Sequence, residues 1–420
     1  MEKTLIAFLL LLCILLTCLL ISCGIPQDNE SKDEASIILS SDVDVSNVSL
    51  DDTASKSDNS TSWETPEDIE NPSQGLELAE SYSKEYGDCY IVTGIGTCED
   101  VDIVIPSTVN GKPIVEIADN AFLGNNNIKS VYCGNRVTKI GKMAFQKCKN
   151  LKKAVIPDSV TALGDQAFCD SGVQEVTMSA RITKMERAVF SGCSSLKSIK
   201  LPQSLTVIPE QAFVVCSSLR EVELGPNVTE IQSRAFASSG LKTIRLPASV
   251  ETVDPSAFYY DITMPSFQSF EVDEDNPYFC SVDGVLYSKD MSTLIAYPQA
   301  HGSYDVPDGV KIIDSGAFYM INNGGCVVTL PESMRTISEN AFFVPRCSFT
   351  LNIKKGVTYI GDYAFTCMDG NSVISFEGTK EEWEAIGKAK YWYAPYLGAG
   401  DQTVIVKCSD GTLTFEYKMP

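Results

Sequence analysis

The sequence predicts a repeat solenoid of β-rich coils about 23 residues long, with short helical or 3₁₀ turns and a cap at each end. A small residue followed by phenylalanine recurs ten times between residues 121 and 365, and successive phenylalanines are 23, 23, 22, 23, 23, 22, 60, 24 and 23 residues apart. A fixed period of this length is typical of stacked supersecondary units. The repeat phenylalanines are Phe122, Phe145, Phe168, Phe190, Phe213, Phe236, Phe258, Phe318, Phe342 and Phe365.

Residues 196–216 show how one unit is expected to fold. Ile199 takes an inward position on a short strand, and Pro202 ends that strand because proline cannot donate a ladder hydrogen bond. Phe213 then fills the middle of the coil from a short helical or 3₁₀ turn. One such unit cannot bury its own apolar face, so stability must come from stacking.

The repeated phrase LxxIxLPxSVTxIGxxAFxxC resembles the BspA-type bacterial leucine-rich repeats over roughly residues 88–408. The resemblance implies a leucine-rich-repeat-like fold and an exported protein of the cell envelope. It also implies a kind of activity, because several family members are adhesins for host matrix proteins or other microbes. It supplies no catalytic motif.

Residues 1–23 predict a bacterial lipoprotein signal peptide. An apolar run over residues 5–21 precedes Ser22-Cys23 and a polar segment. Cys23 would become the lipidated first residue after cleavage. The alternative is an uncleaved membrane anchor, since the 17-residue apolar run approaches spanning length.

Residues 24–75 predict a disordered acidic tether. They hold 13 Asp or Glu against two Lys, a net charge of −11, and are rich in Ser and Asn. Such a composition cannot bury a core. The whole chain carries −22, which argues against nucleic acid and against docking onto anionic lipid. The membrane would be contacted only through the N-terminal lipid.

Three further segments complete the predicted organisation. An N-terminal cap over residues 76–110 is expected to contain a hairpin made of residues 90–96 and 101–106. The solenoid covers residues 111–376, and the 60-residue gap between two repeat phenylalanines predicts an insert at about 263–304. This insert, with Asp283-Gly284 as a two-residue turn, is expected to project as β-ribbons from one side.

Residues 377–420 predict a C-terminal cap. Thr379 and Glu382 have the spacing of a capping box that opens a helix. Asp410-Gly411 lies between two apolar runs and predicts a hairpin. The aromatic side chains of this cap have two interpretations, a core seal or a glycan-stacking platform. The platform residues would be Trp383, Tyr391 and Trp392.

Catalysis has little support in the sequence. The chain has one histidine, His301, and any Ser-His-Asp or Cys-His arrangement would have to use it. No GxSxG, HExxH or Walker loop is present. We therefore expect a non-enzymatic protein without a cofactor or a metal site.

Cysteines form the one repeated set of reactive side chains. Cys148, Cys193 and Cys216 each follow a repeat phenylalanine by three residues. Because no CxxC spacing is present, a buried stack of small apolar side chains is favoured over a metal or redox ladder. Cys89 and Cys98 flank the predicted N-terminal hairpin and are the best candidates for a disulfide in an exported protein.

The outward column of the repeat strands is the natural partner surface. The inward positions keep one residue type from coil to coil, whereas the outward positions vary, as expected of a surface freed from packing. The column consists of Tyr132, Val155, Thr177, Lys200, Glu223 and Arg245. It is flanked by Lys152, Lys153, Glu175, Lys197, Arg220 and Lys242.

These features predict a lipid-anchored lipoprotein of the cell surface that recognises a protein partner, such as a host matrix protein or another microbe. A glycan- or solute-binding lipoprotein that uses the cap aromatics is one alternative. A structural component of the envelope is the other.

Overall fold

The computed structural model describes residues 71–259, 267–298, 302–319, 325–343, 349–366, 372–394 and 402–418. They form a β-solenoid of about eleven turns of about 23 residues, with almost no helix, which confirms the predicted repeat solenoid. Cys23, His301, the signal segment and most of the predicted tether lie outside the described residues. Within the described ranges, no helix is long and apolar enough to cross a membrane.

One face of the solenoid, the long-strand wall, carries one strand per coil, paired mostly in parallel with its neighbours. Side chains alternate along each strand, so that Ile199 is buried between exposed Ser198 and Lys200. The strands are β3 (Asp102–Ile105), β6 (Ser130–Cys133), β8 (Lys153–Val155), β10 (Glu175–Thr177), β12 (Ser198–Lys200), β14 (Glu221–Glu223), β16 (Thr243–Leu246), β18 (Ser269–Val272), β22 (Tyr304–Asp305), β24 (Cys326–Thr329), β26 (Phe349–Ile353), β28 (Val373–Phe376), β30 (Gln402–Cys408) and β31 (Gly411–Tyr417).

A second face, the short-strand wall, is built mostly of two-residue strands. Its strands are β1 (Glu77–Ser83), β2 (Gly87–Gly94), β4 (Thr108–Val109), β5 (Lys112–Ile117), β7 (Lys139–Ile140), β9 (Ala162–Leu163), β11 (Lys184–Met185), β13 (Val207–Ile208), β15 (Glu230–Ile231), β17 (Thr252–Val253), β23 (Ile312–Ile313), β25 (Thr336–Ile337), β27 (Tyr359–Ile360) and β29 (Gly387–Lys388). The second residue of each repeat pair points inward and is buried, as Ile208 and Ile231 show.

The third face is formed by the Ala-Phe segments, which are turns with left-handed residues in place of the predicted helical turns. In nine of the ten repeats the residue before the small residue has a φ of 53° to 70°; these residues are Asn120, Met143, Gln166, Ala188, Gln211, Arg234, Gly316, Asn340 and Tyr363. Such a residue interrupts a right-handed helical run. Only Pro255–Phe258 forms a 3₁₀ helix here. In the first six coils the phenylalanine N–H donates to a carbonyl of the next coil at 2.7–2.9 Å.

Stacked phenylalanine rings run through the middle of the coils. Seven rings, from Phe122 to Phe258, stack with centroids 5.1–5.6 Å apart and interplanar angles of 5–14°. The stack resumes at Phe318 and continues to Phe342 and Phe365. The repeat phenylalanines are 6 % exposed or less. The fixed period in the sequence therefore becomes a ladder of aromatic rings in the core.

Recurrent serines after the strand-ending proline bind neighbouring coils together. Ser159, Ser204, Ser249 and Ser333 each donate a side-chain hydrogen bond to a main-chain carbonyl of the preceding coil. Such bonds satisfy carbonyl groups at the corner where no strand is present. The serine of the repeated phrase is thus an inter-coil contact.

The insert does not project from one side, and that prediction is wrong. Its first strand, β18, pairs in parallel with β16 and extends the long-strand wall. The next three strands, β19 (Phe279–Val282), β20 (Val285–Ser288) and β21 (Thr293–Ala296), form an antiparallel meander. The predicted turn at Asp283-Gly284 is present, with φ of 52° and 78°.

We call this meander the septum (residues 279–297), and its two inner strands, β20 and β21, are largely buried, whereas Val282 and Asp283 at the first turn are exposed. Leu286 and Ile295 pack into the core of the first coils, whereas Val285, Tyr287 and Leu294 pack into the core of the later coils. β21 also pairs in parallel with β23, so the short-strand wall restarts from the septum. A ribbon exposed to solvent would have one polar face, but consecutive residues here are apolar. The septum therefore joins two hydrophobic cores.

At the N-terminal end of the solenoid the predicted hairpin is absent, whereas at the C-terminal end the predicted helix and hairpin are present. The predicted hairpin of residues 90–96 and 101–106 is wrong, because β2 pairs with β1 and β5 while β3 pairs with β6 on the other wall. At the C-terminal end, helix α1 (Lys380–Ala385) has the predicted capping box of Thr379 and Glu382. The predicted hairpin is also present as β30 and β31, and β30 pairs in parallel with β28.

Candidate partner-binding surface

The six residues of the predicted column lie in line on the long-strand wall. Tyr132, Val155 and Thr177 are register partners on β6, β8 and β10. Lys200 on β12 is directly opposite Glu223 on β14. Arg245 occupies the equivalent position on β16. The structure thus brings all six together, and their role in binding stays a prediction.

The column changes in chemistry along its length. At one end Tyr132 and Val155 are half-buried, and the Lys153 ammonium lies 5.8 Å from the Tyr132 ring centroid. In the middle, Lys200 Nζ is 2.6 Å from a Glu223 carboxylate oxygen, with both side chains about two-thirds exposed. Exposed pairs of this kind add little stability. The charged groups therefore remain available to a partner.

The column is one coil longer at each end than the sequence indicated. Val104 on β3 precedes Tyr132, and Glu271 on β18 follows Arg245. Asp273 lies beside this end, with its carboxylate 3.4 Å from Arg245 Nη2. Glu271 was missed because β18 was assigned to the insert. The alternating pattern of residues 269–272 was the available signal.

Beyond the septum, the same wall presents a second outward column, which sequence reasoning missed. Thr329, Asn352, Ser375 and Lys407 are successive register partners on β24, β26, β28 and β30. Their side chains are mostly hydroxyl and amide groups. Asp305 on β22 is the register partner of Thr329, so this column carries charges at Asp305 and Lys407 and uncharged polar side chains between them.

The repeat cysteines are structural. Cys148, Cys193 and Cys216 are fully buried, and each Sγ donates to the carbonyl of the phenylalanine in the preceding coil at 3.0–3.1 Å. Burial raises the pKa of Cys148 and of Cys193 to about 12. Both thiols therefore stay protonated near neutral pH and are poor nucleophiles and metal ligands.

The expected disulfide between Cys89 and Cys98 is not formed, and both are free thiols. Cys89 is buried within β2, opposite Ser81 of β1. Cys98 lies past the end of β2, in a turn where its N–H donates to the Ile95 carbonyl. The hairpin expected to bring the two together does not exist, which explains the error.

Burial argues against the glycan platform at its two tryptophans. Trp383 is fully buried and Trp392 is 6 % exposed, so neither ring has a free face for a sugar. Their ring centroids lie 5.9 Å apart, and Trp392 packs edge-on against Phe365 at the end of the ring ladder. Tyr391 stacks on Tyr363 at 5.9 Å. Trp383 and Trp392 therefore belong to the second core, whereas Tyr391 is half-buried.

The described residues contain no cluster of three or more metal-ligating side chains. A cavity of about 20 Å³ lies beside the septum, lined in part by Phe270, Tyr259, Tyr297 and Tyr319. That volume accommodates a water molecule and little else.

Comparison with known proteins agrees with the fold. The chain resembles the crystal structure of the pneumococcal vaccine antigen PcpA, with 21 % identity, a TM-score of 0.55, and coverage of 81 % of this chain and 87 % of that one. It also resembles a leucine-rich cell surface protein from Faecalibacterium prausnitzii, with 22 % identity, a TM-score of 0.51, and coverage of 74 % and 96 %. A search of curated protein sequences finds no match.

The family comparison is more specific. The profile described as "BspA type Leucine rich repeat region (6 copies)" matches residues 98–170, 138–265 and 300–388. Together these ranges cover more than half of the 420 residues. They include the coils of both cores on either side of the septum. The chain therefore belongs to the BspA-type leucine-rich repeat family.

Proposed function

We propose that this chain is a cell-surface lipoprotein whose long-strand wall binds a protein partner without catalysis. The observation that carries the proposal is the register-aligned outward column. Its side chains change from Tyr132 to Arg245 while the inward residues of the same strands stay apolar and are buried or half-buried. Packing does not constrain these outward positions, so they are free to be selected for recognition.

Two further observations support the proposal. One structurally similar protein is itself named a cell surface protein and the other a vaccine antigen. In addition, the Ser22-Cys23 segment after the apolar run is typical of a lipidation site. The expected partner is a host matrix protein or a protein of another microbe.

The wall suits such a partner because it is preorganised. Most adjacent strands are hydrogen-bonded and their inward side chains are buried or half-buried, so a partner orders only surface side chains on binding. Binding energy would be concentrated at aromatic and arginine positions, here Tyr132 and Arg245. Charged positions such as Lys200 and Glu223 would set orientation and rate.

Reversing two charges of the column tests this proposal. The full-length chain, in non-ionic detergent, is screened against matrix proteins and microbial cells. We expect Lys200→Glu with Arg245→Glu to weaken binding to the partner found by about ten-fold or more, about 1.4 kcal/mol. The reason is that both cations are exposed on the wall and their reversal opposes an acidic partner patch.

The matched control is Lys84→Glu with Lys311→Glu, which changes the net charge equally at exposed positions off the column. This pair should leave affinity unchanged. Equal losses in both variants would contradict a site on the column. Absence of any partner in the screen would favour a structural role in the envelope.

The lipid anchor is tested separately. The wild-type chain is expressed in a bacterium that is grown with a tagged fatty acid. We expect the label to be incorporated at Cys23. Cys23→Ser should abolish incorporation because it removes the acceptor thiol, whereas Cys18→Ser, within the apolar run, should not. Label retained by the Cys23→Ser chain in gel fluorescence and mass spectrometry would contradict lipidation at this residue.

A further inference from the structure

A row of cations runs along the long-strand wall beside the outward column. It occupies the position just before the paired part of each strand, where the main-chain N–H bonds to the preceding coil. Lys152 N–H donates to the Lys129 carbonyl at 2.7 Å, and Arg220 N–H donates to the Lys197 carbonyl at 2.8 Å. We call this set the basic row, and its members are Lys129, Lys152, Lys197, Arg220 and Lys242.

One neutral residue interrupts the basic row, and another follows its last lysine. Gln174 occupies the coil between Lys152 and Lys197, and its N–H donates to the Lys152 carbonyl. Gln268 follows Lys242 in the same way. Five of six consecutive coils therefore carry a cation at one position, and all five side chains are exposed.

The lysines of the row are not neutralised within the described residues. Lys129, Lys152, Lys197 and Lys242 form none of the ion pairs found there, although Lys200 and other lysines do. Arg220 differs, because its Nη1 donates to the carbonyls of Ser217, Leu219 and Gly240. That contact fixes the guanidinium while leaving its other N–H groups uncommitted.

The like charges of the row repel one another, and a bound polyanion would relieve that repulsion. Neighbouring strands are about 4.8 Å apart, so the row places like charges close together over about 24 Å. The rest of the chain is strongly acidic, with a net charge of −22 and an isoelectric point near 4.5. The carboxylates at the next register position along the strands are Asp102, Glu175 and Glu221, which are exposed and form none of the ion pairs of the described residues.

We propose that the basic row binds a linear anionic polysaccharide that carries sulfate or carboxylate groups along its length. A row one residue wide and straight over several coils matches a ligand whose charges follow a single line. A nucleic acid duplex presents two backbones across a groove and needs a wider basic patch. Glu175 and Glu221, the strand residues that follow the row, oppose such a broad polyanion.

An acidic peptide fits less well than a polysaccharide. Successive side chains of an extended peptide point to opposite faces, so those on one face repeat at about 6.6 Å and lose register with the row. The proposal does not rest on the protein-binding role of the outward column. The two surfaces are adjacent but use different residues.

The test uses the full-length chain in non-ionic detergent and immobilised dextran sulfate, with uncharged dextran as the blank. We expect binding to dextran sulfate whose affinity falls about a hundred-fold between 50 and 200 mM salt, because about four counterion-releasing contacts are made. The variant Lys129→Gln, Lys152→Gln, Lys197→Gln, Lys242→Gln should lose at least about ten-fold at 50 mM salt.

The matched control is Lys84→Gln, Lys311→Gln, Lys407→Gln, Lys418→Gln. These lysines are exposed, form none of the ion pairs of the described residues, and lie off the row. Thermal unfolding of both variants by circular dichroism verifies that they are folded. Control affinity within about two-fold of wild type supports the proposal.

Three results would overturn it. The first is an equal loss of affinity in both quadruple variants, which would indicate a response to net charge alone. The second is failure of the wild-type chain to bind dextran sulfate at 50 mM salt. The third is tighter binding to duplex DNA or to polyglutamate than to dextran sulfate at the same charge concentration.

Discussion

Phe213→Ala is expected to lower the free energy of unfolding by about 5 kcal/mol. Phe213 is fully buried, and its ring stacks on Phe190 at 5.6 Å and on Phe236 at 5.4 Å. Truncation of a core phenylalanine costs about 3–5 kcal/mol, and each lost aromatic pair adds about 0.5–1.5 kcal/mol. Urea unfolding followed by circular dichroism measures the difference.

Two control variants separate ring stacking from surface effects. Phe213→Leu keeps an apolar side chain in the core but removes both ring pairs, so it should cost about half as much. Leu123→Ala, at a position that is 46 % exposed, should cost less than about 1 kcal/mol. A Phe213→Ala variant no less stable than Leu123→Ala would show that the ladder does not hold the coils together.

Asn276→Ala is expected to cost about 4 kcal/mol, an effect unusual for a polar residue. Asn276 is fully buried where the chain leaves β18 for the septum. Its Nδ2 donates to the carbonyls of Pro247 and Val250, and its Oδ1 accepts from the N–H groups of Tyr278 and Phe279. Each hydrogen bond contributes about 1 kcal/mol to stability, and the alanine substitution removes all four hydrogen bonds at once.

The comparison for this prediction is Asn227→Ala. Asn227 is exposed and donates one hydrogen bond, to the Gln203 carbonyl, so its loss should cost less than about 1 kcal/mol. Asn276→Asp retains the acceptor but places a carboxylate against two carbonyls. The Asn276→Asp variant should therefore have a lower free energy of unfolding at neutral pH than below pH 4, because the buried site favours the protonated carboxyl. Urea midpoints at both pH values test this, and equal midpoints for all variants would refute the role given to Asn276.

The sequence predicted the features that depend on periodicity. The 23-residue spacing and the inward apolar residues, such as Ile199 and Phe213, are repeated ten times, so a single unit defines the coil. The outward column followed from the same register, because alternation along a strand leaves one face free. The terminal helix was predicted because Thr379 and Glu382 form a local signal that needs no tertiary information.

The errors lie where local pattern and tertiary environment disagree. The left-handed residue before each Ala-Phe could not be predicted, since Met143, Gln166 and Arg234 have no particular preference for positive φ. Hydrogen bonds to the next coil stabilise that conformation. Trp383 and Trp392 were ambiguous because the number of aromatic residues does not reveal which elements cover them.

The septum error has a different cause. The meander contains a two-residue turn and short apolar runs, which also describe an exposed ribbon. The distinguishing signal was the consecutive run Val285-Leu286-Tyr287, because a strand with one solvated face does not carry three large apolar residues in succession. Chain length alone gave no indication that the insert would lie inside the array.

Because the septum supplies an end wall to each core, the two sets of coils can change in copy number independently. Duplication or deletion of one 23-residue unit would add or remove a single ring of the ladder and leave the septum contacts of Asn276, Leu286 and Leu294 untouched. The column from Tyr132 to Glu271 precedes the septum, and the column from Asp305 to Lys407 follows it. A lineage carrying this architecture can therefore lengthen one surface while the other keeps its size.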